Sequence, residues 1–208
     1  IPSALNVHTV LSQSHIVGKR TTRYLELLAR SLNRILIAGN KMTEKELKRL
    51  RVWRDRDHIK MIYNGITPAG ESRAETFGRE VIKITMVANF FIEKDHLTLI
   101  KAYELLKNNY PLCLSIIAEG EGACRDRVMD YVEEKELQEI SFQKNRNEDT
   151  YTHQTDIFVL ATFSEGDPIV LKEAMSVGIP CIASRVGAVD EVIEDGVDGM
   201  LIDAGSVD

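Results

Sequence analysis

The sequence predicts an α/β protein: a parallel sheet covered by helices on both faces, with part of a second α/β lobe ahead of it. Three features predict this. From residue 81 onward, strand-length apolar runs alternate with helical patterns, the order that builds a parallel sheet buried on both sides. The charge is divided, with 13 Lys/Arg against five Asp/Glu in residues 19–60 and 13 against 27 in residues 61–208. Between the two regions, Asn64-Gly65, Pro68, Gly70 and a polar run to Glu80 supply turn and linker signals.

The elements follow in order. "IPSALNVHTV" reads as a strand entered from a longer chain, since Ile1 is not methionine and no basic or apolar leader precedes it. In "TTRYLELLARSLNRILIAG" Leu25, Leu28 and Leu32 recur at helical spacing, with Arg23, Arg30 and Arg34 on the flanks. That basic helix reads as packed on its own lobe, or as making peripheral contact with an anionic membrane surface. Nucleic acid is disfavoured, because no aromatic-interleaved basic stripe accompanies the charge. Beyond the linker, "VIKITMVAN" is a strand and "HLTLIKAYELLKN" a helix; "LCLSIIA" is a strand and "CRDRVMDYVEEKEL" a helix. "EISF", "DIFVLA", "PCIAS" and "GMLI" are short strands, with helical segments near 168–177 and 189–194 between the last three. The chain then stops at "LIDAGSVD", so an internal fragment of a longer protein is expected.

With 44% hydrophobic and 28% charged residues the composition is that of a soluble globular protein, and no 18-residue apolar run is present. Cys113, Cys124 and Cys181 are scattered and fit neither a disulfide framework nor a zinc site, which implies a reducing compartment.

Ligands of such sheets bind outside the carboxyl ends of the strands, where loops run into helix N-termini. Free N–H groups and the helix dipole suit that place to phosphate. The loop "NFFIEKDH" carries Lys94 there, and "TFSEGDP" carries Gly166 and Pro168. Pro168 in a first helical turn would leave the N–H groups of Ile169 and Val170 free for an anion. Glu165 in the turn and Glu173, one and a half turns into the helix, would then bracket a ligand with an anionic middle. A nucleotide diphosphate sugar has that shape. No cluster of carboxylates or histidines suggests a metal, so Lys94 and backbone dipoles are expected to neutralise the diphosphate, with no cofactor.

Taken together, "SEGDPIVLKEAMSVGIPCIAS", "VGAVDEVIEDGVDGMLI", "VANFFIEKDHLTLIKAYELL", "IIAEGEG", "IYNGI" and "IPSALNVHTV" resemble the retaining glycosyltransferases of family four. The resemblance implies the two-lobed GT-B fold, with a Rossmann-like donor lobe. Residues 1–66 would be the end of the acceptor lobe, 67–80 the interlobe linker, and 81–208 most of the nucleotide-sugar-binding lobe. It implies a glycosyl transfer from a nucleotide diphosphate sugar to a glycan or lipid-linked acceptor, in the cytoplasm, with these residues alone binding donor without transferring sugar. Glu173 matches the residue on the donor ribose and Glu165 the one near the transferred sugar; Lys94 matches the diphosphate lysine and His8 the acceptor-lobe histidine facing the sugar. Three positions depart from the pattern. Asn89 stands where an arginine is usual, Ala118 replaces a glycine, and Asp167 replaces an apolar residue and would either read a sugar hydroxyl or face solvent. A sugar-nucleotide epimerase or a non-catalytic binder of the same fold remains open. A dinucleotide-binding dehydrogenase is weaker, because Gly120-x-Gly122 lacks a third glycine.

Overall fold

The computed structural model describes residues 5–6, 36–49, 59–67, 80–144 and 154–207. His8, residues 21–35 of the expected basic helix and most of the linker lie outside the described residues.

Two parallel sheets are present. In the first, β1 (Leu5–Asn6), β2 (Leu36–Ala38) and β3 (Ile59–Met61) lie side by side in that order. Residues 36–38, inside the segment 21–39 expected to form a basic helix, are strand and not helix. Helix α1 (Lys41–Arg49) follows β2 and is capped by Asn40, whose side-chain Oδ1 accepts from Thr43 N at 2.6 Å. Asparagine suits this position because its short side chain reaches the orphan N–H groups of a first turn.

The second sheet has six parallel strands: β4 (Ile82–Val87), β5 (Leu112–Ile117), β6 (Ile140–Gln143), β7 (Ile157–Leu160), β8 (Cys181–Ser184) and β9 (Met200–Ile202). Their spatial order is β6-β5-β4-β7-β8-β9. The chain moves outward from β4 through β5 to β6, returns to the other side of β4, and continues outward through β7, β8 and β9. The reversal leaves a crevice at the carboxyl ends of β4 and β7. Helices α2 (His96–Leu106), α3 (Ala123–Glu134) and α4 (Ile169–Ser176) cover the sheet. The segment expected to be helical at 189–194 forms only one 3₁₀ turn, Val189–Glu191.

Alternation along the strands fills both faces. Ile84, Met86, Leu114, Ile116 and Val159 pack with Leu99, Ile100, Tyr103 and Val128 of α2 and α3. Val87, Ile117, Phe158, Leu160 and Ala183 pack with Leu171 and Ala174 of α4. Strands buried on both faces must be apolar almost throughout, and that made them readable as continuous runs. Phe158, Leu160 and Leu171 are fully buried, and truncating any of them to alanine would cost about 2–5 kcal/mol.

Candidate functional site

The crevice at the strand-order reversal is a cleft of about 420 Å³. Its walls are the loop after β4 (Ala88, Asn89, Phe91, Lys94), the ends of β5 and β6 (Ile117, Ala118, Glu119, Lys144), and the segment Glu165, Asp167, Pro168, Ile169 and Val170 leading into α4.

Main-chain bonds stitch the β4 and β7 loops together. Phe163 N donates to Glu93 O at 2.8 Å and Asp95 N to Ala161 O at 3.0 Å, while Thr162 Oγ1 donates to Glu93 O at 2.9 Å. Lys94 and Thr162 form an isolated antiparallel bridge. This stitching brings Lys94 Nζ to 2.5 Å from Glu165 Oε2, with the two side chains only 19% and 13% exposed. Such a partly buried pair is electrostatically stronger than a surface ion pair.

The β4 loop is braced from within by His96, the first residue of α2. Its Nδ1 lies 3.1 Å from Lys94 O and its Nε2 2.9 Å from Ala88 O, and its ring stacks on Phe90 at 4.7 Å between centroids. Burial lowers the His96 pKa below its ordinary value, against the opposing pull of the two carbonyls. Asp95 caps α2 by accepting from Thr98 N at 3.2 Å.

Around α4 the arrangement differs from expectation in two ways. Pro168 is the N-cap and not the first helical residue, with φ −79° and ψ 70°. Those angles are those of an inverse γ-turn, which Ile169 N closes on Asp167 O at 2.9 Å. The Ile169 N–H is thereby spent, and that of Val170 has no partner among the described residues. Asp167 does not face solvent: its side chain is 5% exposed and pairs with Lys172 Nζ, which also donates to Asn64 O at 3.3 Å. Glu173 is buried at 5% exposure on α4 and does not line the cleft.

Several contributors escaped sequence reasoning. Gly187, with φ +59°, presses against Glu165: a Cβ there would meet Glu165 O at 1.9 Å. Ala188 N donates to the same carbonyl at 3.0 Å. Lys144, at the end of β6, places a second cation in the cleft wall and pairs with Glu121 at 3.2 Å. Asn89, already singled out in the sequence for standing where an arginine is usual, accepts from Glu119 N at 3.0 Å through Oδ1 and so fastens the β4 loop to the β5 loop. From the first sheet, Asn40 Nδ2 donates to Gly166 O, and Glu191 receives Lys41 N at 3.0 Å and Tyr63 Oη at 2.9 Å. Among the described residues no group of three or more His, Cys, Asp or Glu side chains is placed to hold a metal ion.

Two parallel α/β sheets joined by side-chain contacts, with a cleft at the strand-order reversal of the larger one, give the GT-B fold of its structural neighbours. The chain belongs to the family glycosyl transferases group 1, whose model matches residues 71–208. It is 27% identical to the Escherichia coli UDP-Gal:alpha-D-GlcNAc-diphosphoundecaprenol alpha-1,3-galactosyltransferase, a match covering 97% of this chain and 57% of that protein. It is 24% identical to the Erwinia amylovora amylovoran biosynthesis glycosyltransferase AmsK, over 94% of this chain and 49% of that one. The chain thus spans about half the length of these relatives. Among solved structures, Anabaena HepE in complex with UDP superposes with a TM-score of 0.82 at 20% identity, over 99% of this chain and 59% of that one. No helix among the described residues is long and apolar enough to cross a membrane.

Proposed function

We propose that this chain forms the donor-binding part of a glycosyltransferase that moves a hexose from a nucleotide diphosphate sugar to a glycan or lipid-linked acceptor with retention of configuration. The observation that carries the reading is the convergence on one cleft, at the strand-order reversal, of Lys94, Glu165 and a Val170 N–H that has no partner among the described residues. The diphosphate lies at the N-terminus of α4, where the Val170 N–H and the helix dipole meet it. Lys94 turns from Glu165 to the phosphate oxygens, so that neither a divalent ion nor another cofactor is required. The bond between the anomeric carbon and the β-phosphate oxygen breaks, and both electrons stay on that oxygen. The acceptor hydroxyl oxygen bonds to the anomeric carbon on the same face, and its proton passes to the departing diphosphate. Glu165 sits beside the transferred sugar and His8 faces it from the acceptor side; Glu173 serves the ribose, with Gly166, Asp167, Pro168 and Ile169 shaping the turn between them. Asn89 lies beside the phosphates without the charge of an arginine.

UDP is the nucleotide that the complex of the Anabaena neighbour supports. The name of the E. coli relative supports a lipid-linked acceptor, and that of the Erwinia relative supports polysaccharide biosynthesis. A cytoplasmic protein touching an anionic membrane surface through the basic segment 19–60 suits such an acceptor. Because these residues span 57% of the E. coli relative, transfer is assigned to a longer protein and donor binding to this chain. The test is a thermal melt with UDP-, GDP- and ADP-sugars, with and without EDTA. A ligand that binds only the folded state raises the midpoint. A rise with a UDP-sugar that survives chelation is expected; no rise with any of the three would overturn the reading.

A further inference from the structure

Asn40 makes two contacts with one side-chain amide. Oδ1 accepts from Thr43 N, capping α1, and Nδ2 donates to Gly166 O, 126 positions away in the donor turn. Only one orientation of the amide satisfies both, and the residue is 3% exposed. Gly166 O belongs to the same planar peptide unit as Asp167 N, and in a trans peptide the C=O and N–H point to opposite sides. Holding the carbonyl toward Asn40 therefore aims the Asp167 N–H into the cleft, where Glu165 Oε1 lies 3.4 Å away. The other oxygen of that carboxylate, Oε2, holds Lys94.

We infer that Asn40 is a positioning residue for Glu165, orienting its carboxylate from the opposite lobe through the Gly166–Asp167 peptide plane. The inference rests on the donor-site reading above. Asn40 stands at the carboxyl end of β2, and Lys172 of α4, paired with Asp167 of the turn, adds a second tie to Asn64 beyond β3. The carboxylate is thus set only while the lobes touch. If they part, the peptide plane is free to turn, and Glu165 loses the N–H that fixes its second oxygen.

The two contacts of Asn40 are separable by substitution. Asn40→Ser, whose hydroxyl stops one bond short of the Nδ2 position, and Asn40→Asp, whose ionised carboxylate donates nothing, retain an oxygen to cap α1 but lose the bond to Gly166 O. Both are expected to keep the melting midpoint of the parent while binding a UDP-sugar about five- to tenfold more weakly, the worth of one hydrogen bond. In a Glu165→Ala background the same substitutions are expected to change affinity little, because residues that act through one another are not additive. Unchanged affinity in the single variants would overturn the positioning role. So would a loss of equal size in the Glu165→Ala background, or a midpoint that falls in step with the affinity. If the parent binds none of UDP, GDP and ADP, the donor-site reading fails first and takes this role with it.

Discussion

Gly187→Ala tests how tightly the donor turn is built. At φ +59° an alanine costs about 1–2 kcal/mol relative to glycine. Its Cβ would also stand 1.9 Å from Glu165 O, 2.9 Å from Glu165 C and 3.2 Å from Glu165 N. All three atoms are backbone, so no side chain can rotate away. Relief requires Glu165 to retreat by about 1.5 Å, toward an ordinary contact near 3.5 Å. The retreat breaks the bond from Ala188 N, worth about 1 kcal/mol. Together these predict a loss of about 2–3 kcal/mol, or a melting midpoint lower by about 4–12 °C for a chain of this size. Displacing the carboxylate by more than an ångström should also lower turnover of the longer enzyme by about a hundredfold. Urea denaturation of this chain and a sugar-transfer assay of the longer enzyme read the two effects separately. A variant with the parent's midpoint and turnover would show that Gly187 does not shape the turn.

Further outcomes follow from the site. Asn89→Arg should tighten UDP binding at low ionic strength, with a gain that shrinks as salt is added; equal affinities at low salt would place residue 89 away from the phosphates. His96 has a folded pKa below its ordinary 6.5, so the unfolded chain binds more protons in the window beneath that value. Its stability contribution is therefore complete above about pH 6.5 and declines as pH falls toward the lowered folded value. His96→Gln should flatten that part of the stability-pH curve, and an unchanged slope would refute the assignment. Glu173→Ala should weaken nucleotide binding by about 1–3 kcal/mol if its carboxylate serves the ribose. Unchanged affinity in a folded variant would confine Glu173 to the packing of α4.

The second sheet was legible because its inner strands β4, β5, β7 and β8 are buried largely on both sides and their connections carry turn residues or a helical period. The first sheet was much less so. Strands β2 and β3 have three residues each, too few for a period, and α1 is the polar run "KMTEKELKR". Lys94, Glu165 and Gly166–Val170 could be placed because a general rule fixes where such sheets bind ligands. What no local pattern encodes is contact through space. Nothing in the sequence around Asn40 points to Gly166. The ion pair of Asp167 with Lys172 fills a site that the sequence reading left to solvent or a sugar hydroxyl. Pro168 fits a cap as well as a first helical turn, and only its ψ separates the two.

The bonds that join the loops after β4 and β7 consist almost wholly of main-chain groups: Glu93 O, Phe163 N, Ala161 O and Asp95 N. Such bonds ignore side-chain identity and yield chiefly to proline, which removes a donor. The spacing of Lys94 and Glu165 can therefore outlast wide drift in the surrounding sequence. It also makes the pair of loops one inheritable cassette. Exchanging a single loop with that of a relative would graft one half of a zipper onto a mismatched half, whereas moving both together carries the cation and the carboxylate across in register.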